Sequence, residues 1–454
     1  MKSRAAAIAF ALLVAVLALA AAGCGGGDDN EEAEGTTTEE TGGGGGGNAG
    51  AVKALPASSC SSVYYEGDGD PDYLIASDLP LQGAGRTQTI EMTKAIKFVL
   101  KQRDFTAGDY KIAYQSCDDS TAQVGAWDSG KCSANANAYA RNDDFIGLIG
   151  TFNSGCAEII APILNRAQDG PIAMISPANT YVGLTHRGPG TAAGEPEKYQ
   201  PTGKKNYVRI VAADDFQGAA DAILAKQLGL KKVYILNDKQ AYGLGVATNF
   251  QNALKKQGVT IAGFAAWDSK ASSYEALATK IKATGADGVF LGGLICENGG
   301  KLIKDIKANV PNVQIMAPDG FTPISAVVQG AGTDAEGMTV SVAGLPNSQL
   351  KGAGKTWVSD FAGANNGKDP DPYSVYAAQA AEVLLDAIER SDGSRAAVAE
   401  ELFKTDVKNG ILGSFKIDEN GDTSANPVTI YKITGGKQTD FKVITPPTSL
   451  VKAA

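Results

Sequence analysis

The stretch LIGTFNSGCAEIIAPIL, Leu148 to Leu164, breaks from an apolar run into small polar residues and then becomes helix-forming. A helix start leaves N–H groups without intrahelical partners and carries the positive end of the helix dipole, so TFNSGC could hold an anion. Ser154 can cap that helix or turn its hydroxyl to a ligand. The dipole contributes only about 0.3 to 1 kcal/mol, so a carboxylate needs further donors. Thr180 and the backbone of SPANT, Ser176 to Thr180, could supply them. A matching cation site is suggested by Asp319 in VQIMAPDGFTPISAVV. Thr322 before Pro323 is the better N-cap and first-turn pair, which leaves Asp319 without capping duty. A solvated loop carboxylate is the plainer reading of Asp319. Tyr242, after VYILNDKQA, could wall a ligand or pack on the adjacent helix.

Other chemistries find less support. GAGKTW resembles a phosphate loop, but Gln349 stands where its first Gly is required. YGLGVATNF has Thr248 at the third glycine position of a dinucleotide fingerprint. EGDGDPD echoes a calcium loop, but Leu79 occupies the place of the bidentate Glu. His186 is the only His and reads as a surface residue beside a flexible insertion, so no Ser-His-Asp triad assembles. Metal-ligand spacing is absent. No catalytic residue, metal or cofactor is expected.

The elements that must position these residues alternate in type. From Tyr73, short β-rich runs (YLIA, YKIAY, FIGLIG, PIAMIS) alternate with amphipathic helices such as TQTIEMTKAIKFVLKQ. That alternation implies a parallel sheet covered on both faces. A second series beginning near Tyr207 predicts a second sheet, and the unpatterned Gly188–Asn206 segment between the two reads as a loop insertion. Late helices and short final strands must join these sheets, so the chain crosses between lobes several times. In open α/β sheets ligands collect where strand ends enter helices, which is where TFNSGC lies.

Composition agrees with a two-lobed, acidic, extracytoplasmic protein. The 454 residues are 43% hydrophobic and 20% charged, enough for more than one core. The N-terminus, MKSRAAAIAFALLVAVLALAAAGCGGG, reads as a secretory signal over 1–23 ending at Cys24. Such a site resembles the bacterial lipoprotein signal, in which Cys24 is lipidated and attaches the chain to the membrane; an uncleaved anchor is the alternative. Losing Lys2 and Arg4 takes the formal charge from −9 to about −11, which argues against nucleic acid. Residues 24–56 read as a flexible tether. Its Gly-rich part would span on the order of 30 Å. With Cys24 set aside, five cysteines remain. Cys117 and Cys132 bracket a loop whose closure by a disulfide would stabilise by about 3 kcal/mol, while the pairing of Cys60, Cys156 and Cys296 is not readable.

In order along the chain, SDLPLQGAGRTQTIEMTKAIKFVL, SCDDSTAQ, IGTFNSGCA, MISPANTYVGLT, VAADDFQGAA, LNDKQAYGLG, APDG and VYAAQAAEVLLDAI resemble the bacterial leucine/isoleucine/valine-binding proteins. These are extracytoplasmic receptors of branched-chain amino acid ABC transporters, and the likeness runs from about Tyr73 to Leu450. It implies an α/β type I periplasmic-binding fold, with two Rossmann-like lobes, three crossovers and closure around a ligand. The expected lobes are 57–209 with 344–409, and 210–343 with 410–454. By the same resemblance, Asn153 and Ser154, with Ala178, Asn179 and Thr180, meet an amino acid carboxylate. Asp319 takes the ammonium and Tyr242 lines the cleft. Asp319 stands where Glu is common, Leu294 replaces a cleft aromatic, and LPLQGAGR lacks a Tyr. Glu297 could favour a more cationic ligand. The expectation is a monomeric, non-enzymatic receptor that delivers an amino acid to an ABC permease. The alternative is a ligand-sensing receptor for amide, urea-like or polyamine compounds.

Overall fold

In a computed structural model, residues 52–451 are described. The signal run, Cys24 and most of the expected tether lie outside them. Among the described residues no helix is long and apolar enough to cross a membrane.

Two sheets organise the chain. The first runs Thr106–Ala107, Tyr110–Asp118, Tyr73–Leu79, Phe145–Gly150, Ala173–Ser176, Tyr207–Arg209, and is parallel except at its first pair. Phe145–Gly150 is buried at every position, because the centre of a parallel sheet is covered on both faces. Its apolar run therefore shows no alternation. The second sheet runs Thr260–Ala266, Lys232–Asn237, Gly288–Gly292, Gln314–Ala317, Thr339–Ala343, all parallel. Val428–Thr434 and Lys437–Ile444 then add antiparallel strands at its edge. The late helix Pro372–Arg390 returns to the first lobe, packing on Arg86–Gln102 and on the first sheet.

The chain crosses between the lobes three times: after Arg209 into the helix Asp214–Gln227, after Ala343 toward the helix Ala353–Ala364, and between Asp422 and Val428. Tyr207–Arg209 closes the first sheet instead of opening the second, as its pairing with Ala173–Ser176 requires. The third crossing comes later than the expected boundary at 410. Arg209 N–H donates to Gly421 O and Arg209 Nε donates to Asp422 Oδ1, so residues 410–424 stay beside the first lobe. The expected tether is also too long. Val52 and Leu55 are buried, and Leu55 N–H donates to Gln115 Oε1.

The cysteine expectation is corrected as well. Cys117 pairs with Cys60, and Cys132 with Cys156. Cys60 lies beside Cys117 in an antiparallel bridge at the edge of the first sheet. Cys132 and Cys156 each sit in the opening turns of neighbouring packed helices, Ser129–Ala140 and Ser154–Asn165. Packing between elements set these pairs, and the length of the intervening loop did not. The Cys132–Cys156 bond thereby pins the helix that TFNSGC opens. Asp119 lies against the same sulfurs at metal-ligand spacing, but both are committed to the disulfide.

His186 is not a plain surface residue. Its Nδ1 lies 2.8 Å from Asp422 Oδ2 and its Nε2 3.3 Å from Asp215 Oδ2. Burial opposes its charge, but hydrogen bonds to the two carboxylates prevail and push its pKa up to about 9. Asp215 follows the first crossing and Asp422 precedes the third, so the imidazolium bridges two of the three crossings.

Two outcomes are expected. A Cys132→Ala/Cys156→Ala double variant should lose about 3 to 4 kcal/mol of stability in urea titration, from the loop that the disulfide closes. A raised His pKa contributes stability that is fully present below about pH 6.5 and is lost as pH rises through about 9. The unfolding midpoint should therefore fall across that window by up to about 3 kcal/mol, and His186→Gln should flatten the slope.

Candidate functional site

The helix Ser154–Asn165 begins where a fully buried strand of the first sheet ends, so its amides face the space between the lobes. Asn153 occupies the N-cap position without a side-chain cap bond, and the first intrahelical bond is donated by Cys156 to Asn153 O. Ser154 and Gly155 thus lie ahead of the ladder, with amides available to a ligand. Ser154 Oγ accepts from Tyr181 N–H at 3.3 Å, so its own proton is free for a ligand acceptor. Gly155 is small by necessity, since a Cβ there would come within 2.5 Å of the Trp127 ring.

The companion loop behaves differently from expectation. The N–H groups of Ala178 and Asn179 both turn to Ser176 Oγ, at 3.1 and 2.8 Å. The Asn179 side chain is consumed as well, donating to Phe152 O at 3.0 Å and accepting from Tyr207 OH at 3.2 Å. Asn179 therefore holds the two loops together and is fully buried away from the cleft, whereas Ala178 and Thr180 do line it.

At the other end stands Asp319, 5% exposed, in a one-turn 3-10 helix, Asp319–Phe321. The following α-helix starts at Ile324 with Pro323, not Thr322, at its N-cap; Thr322 Oγ1 instead donates to Asp319 O at 2.7 Å. Tyr242 OH donates to Asp319 Oδ1 at 2.5 Å and accepts from Gly320 N–H at 2.8 Å. Tyr373 OH donates to Asp319 Oδ2 at 2.6 Å. Gly320 permits this approach, because a Cβ would lie 2.2 Å from Gly293 O.

Behind Asp319 the helix Asp214–Gln227 carries three more buried acids, of which Asp215 faces His186. Neither carboxylate oxygen of Asp214 has a hydrogen-bond partner, and Asp221 is met by Ser341 OH at 2.8 Å. Burial raises the pKa of Asp319. It raises those of Asp214 and Asp221 further, with the charge of Asp319 adding to the effect. The nearby Arg209 guanidinium is already paired with Asp422. The cleft thus has a buried carboxyl group at one end and unspent donors at the other.

One cleft is lined by Asn153, Ser154, Ala178, Thr180, Tyr242, Leu294 and Asp319, with Phe152, Gly155, Gln240, Gly320 and Tyr373. Sequence reasoning missed Tyr373, Phe152 and Gln240. Tyr373 had a signal, because Asp371-Pro372 is an N-cap and N1 pair that marks a second helix start, and Asp371 does accept from Tyr373 N–H. Glu297 is not in the lining; its carboxylate accepts from Gln240 Nε2 at 2.7 Å. That removes the reason to expect a more cationic ligand.

Two α/β lobes, crossed three times and facing one another across a polar cleft, define a two-lobed solute-binding fold. The chain belongs to the periplasmic binding protein family, whose profile matches residues 75–438. An amino acid binding protein of Pseudomonas aeruginosa is 26% identical over 299 residues, covering 65% of this chain and 74% of that one. The Leu/Ile/Val-binding protein of Escherichia coli is 28% identical over 269 residues, covering 59% and 67%. The crystal structure of a leucine binding protein, LivK, from Thermotoga maritima aligns with a TM-score of 0.71 at 24% identity, over 82% of this chain and 99% of that one. LivJ from Streptococcus pneumoniae, in complex with isoleucine, aligns at 0.68 and 17% identity, over the same shares. The structural likenesses bear on the fold.

A raised carboxylate pKa means that the folded state holds the proton more tightly than the unfolded chain does, so ionised Asp319 weakens the fold as pH rises above the ordinary Asp range. Asp319→Asn should raise the unfolding free energy of the ligand-free protein at pH 7 by about 1 to 2 kcal/mol, seen as a higher urea midpoint. A lowered midpoint would mean that the two phenols depend on the charge.

Proposed function

We propose that this protein is the extracytoplasmic solute-binding lipoprotein of an ABC importer, capturing a branched-chain or related amino acid between its lobes and handing it to a membrane permease. The observation that carries the reading is the opposition of a dry carboxylate, Asp319, to the amides and hydroxyl at the start of the Ser154–Asn165 helix. A zwitterion matches both ends at once. Its carboxylate meets Ser154 and Gly155 N–H with the Ser154 hydroxyl, and its ammonium meets Asp319. Aromatic and aliphatic walls, Phe152, Tyr242 and Leu294, surround an apolar side chain.

The names of the relatives support this ligand class. The lining offers no chemistry, since Ser154 has no imidazole beside it and His186 is engaged with Asp215 and Asp422. Lipid attachment at Cys24, delivery to a permease and a monomeric state complete the proposal.

Calorimetric titration with leucine, isoleucine and valine tests it. Binding should be measurable for at least one of them, and Asp319→Ala should weaken it by about 2 to 5 kcal/mol, because the variant leaves the ammonium buried and unpaired. A loss under about 1 kcal/mol, in a variant that melts like the parent, removes Asp319 from the site.

A further inference from the structure

A second cavity adjoins the first, and Phe152, Asn153, Leu294 and Gly320 line both. Its own walls are apolar: Pro80, Ala84, Ala126, Ile295 and the Cys296 thiol. Among the polar side chains at its edge, Gln82 and Thr322 are engaged, while Asn153, shared with the first cavity, makes no side-chain cap bond. Gln82 Nε2 donates to Asp118 Oδ2 at 2.7 Å, and Thr322 Oγ1 donates to Asp319 O at 2.7 Å. The Cys296 thiol is exposed. No Asp, Glu, Lys or Arg belongs to the lining.

The space exists because two loops from the first lobe carry little beyond backbone where they meet. Gly83-Ala84-Gly85 precedes the first long helix, and Gly125-Ala126 turns the small hairpin Ser120–Thr121/Ala126–Trp127. A Cβ on Gly83 would come within 1.7 Å of Gly125 O, and both glycines have positive φ. The loops therefore touch backbone to backbone, and no bulky side chain reaches from them into the cavity. Leu294, from the second lobe, forms the shared wall.

We infer that the distal part of the ligand occupies this second compartment, so that the preferred ligand is an α-amino acid whose uncharged apolar side chain extends past that of leucine, in an aryl ring or a linear chain. The inference rests on the proposed amino acid site. A charged side-chain terminus would find no opposite charge in this lining and would lose water. Each additional buried carbon adds contact that leucine's short branch cannot make.

Calorimetry of the unaltered protein with leucine, phenylalanine and homophenylalanine gives the test. The longer ligands should bind about tenfold or more tightly than leucine, from the extra apolar surface they bury. Ala84→Phe, which fills the compartment from its loop, should reverse that ranking, and Ala126→Leu should shift it the same way. Leucine binding as tightly as, or more tightly than, phenylalanine in the unaltered protein overturns this inference and leaves the amino acid site standing. A ranking unchanged by both filling variants, each shown to be folded by its thermal melt, also overturns it. Failure of every α-amino acid to bind overturns both the site and its extension.

Discussion

The structure turns on a carboxylate that is dry, negatively charged only at a cost, and held by groups from both lobes. Tyr242 reaches Asp319 from the second lobe, while Tyr373 reaches it from a helix packed on the first. Two phenols satisfy the oxygens without neutralising them, and burial makes the charge costly to hold. Ionised Asp319 is thus a penalty that the fold carries.

The crossings carry a second polar system that does not line the cleft. Arg209, fully buried, donates to Asn179 O and Tyr181 O as well as to Asp422, and thus ties the first crossing and the companion loop to the third crossing. His186 adds Asp215 to the same cluster. Such a network leaves few independent ways for the crossings to move, because breaking one member strands buried charge on the others. The site loops inherit that order. Asn179 binds Phe152 O, and Ser154 receives Tyr181 N–H, so hydrogen bonds tie the start of the Ser154–Asn165 helix to its companion loop.

Much of the fold was legible in the chain because α/β alternation is a local signal. Apolar runs such as FIGLIG and helices such as TQTIEMTKAIKFVLKQ are set by neighbours within a few residues. The site was partly legible for the same reason. Ser154 stands at a strand-to-helix turn, and Asp319 follows a strand. Tyr373 was overlooked although Asp371-Pro372 announces its helix, because nothing local says that this helix returns to face a loop more than fifty residues earlier in the chain. Asn179 failed in the opposite sense. Its residue type and position suit a ligand contact, but Ser176, Phe152 and Tyr207 claim its groups.

By itself the sequence determined the element order, the two-sheet class, the position of the helix start at Ser154 and the suspicion attached to Asp319. These depend on periodicity, capping and glycine placement, all short-range. Only the tertiary structure decided the disulfide partners, the lobe to which residues 410–424 belong, the clamp around His186 and the second apolar compartment. Each of these arises where segments distant in sequence become neighbours, and the packing that brings them together leaves no periodic trace in either segment alone.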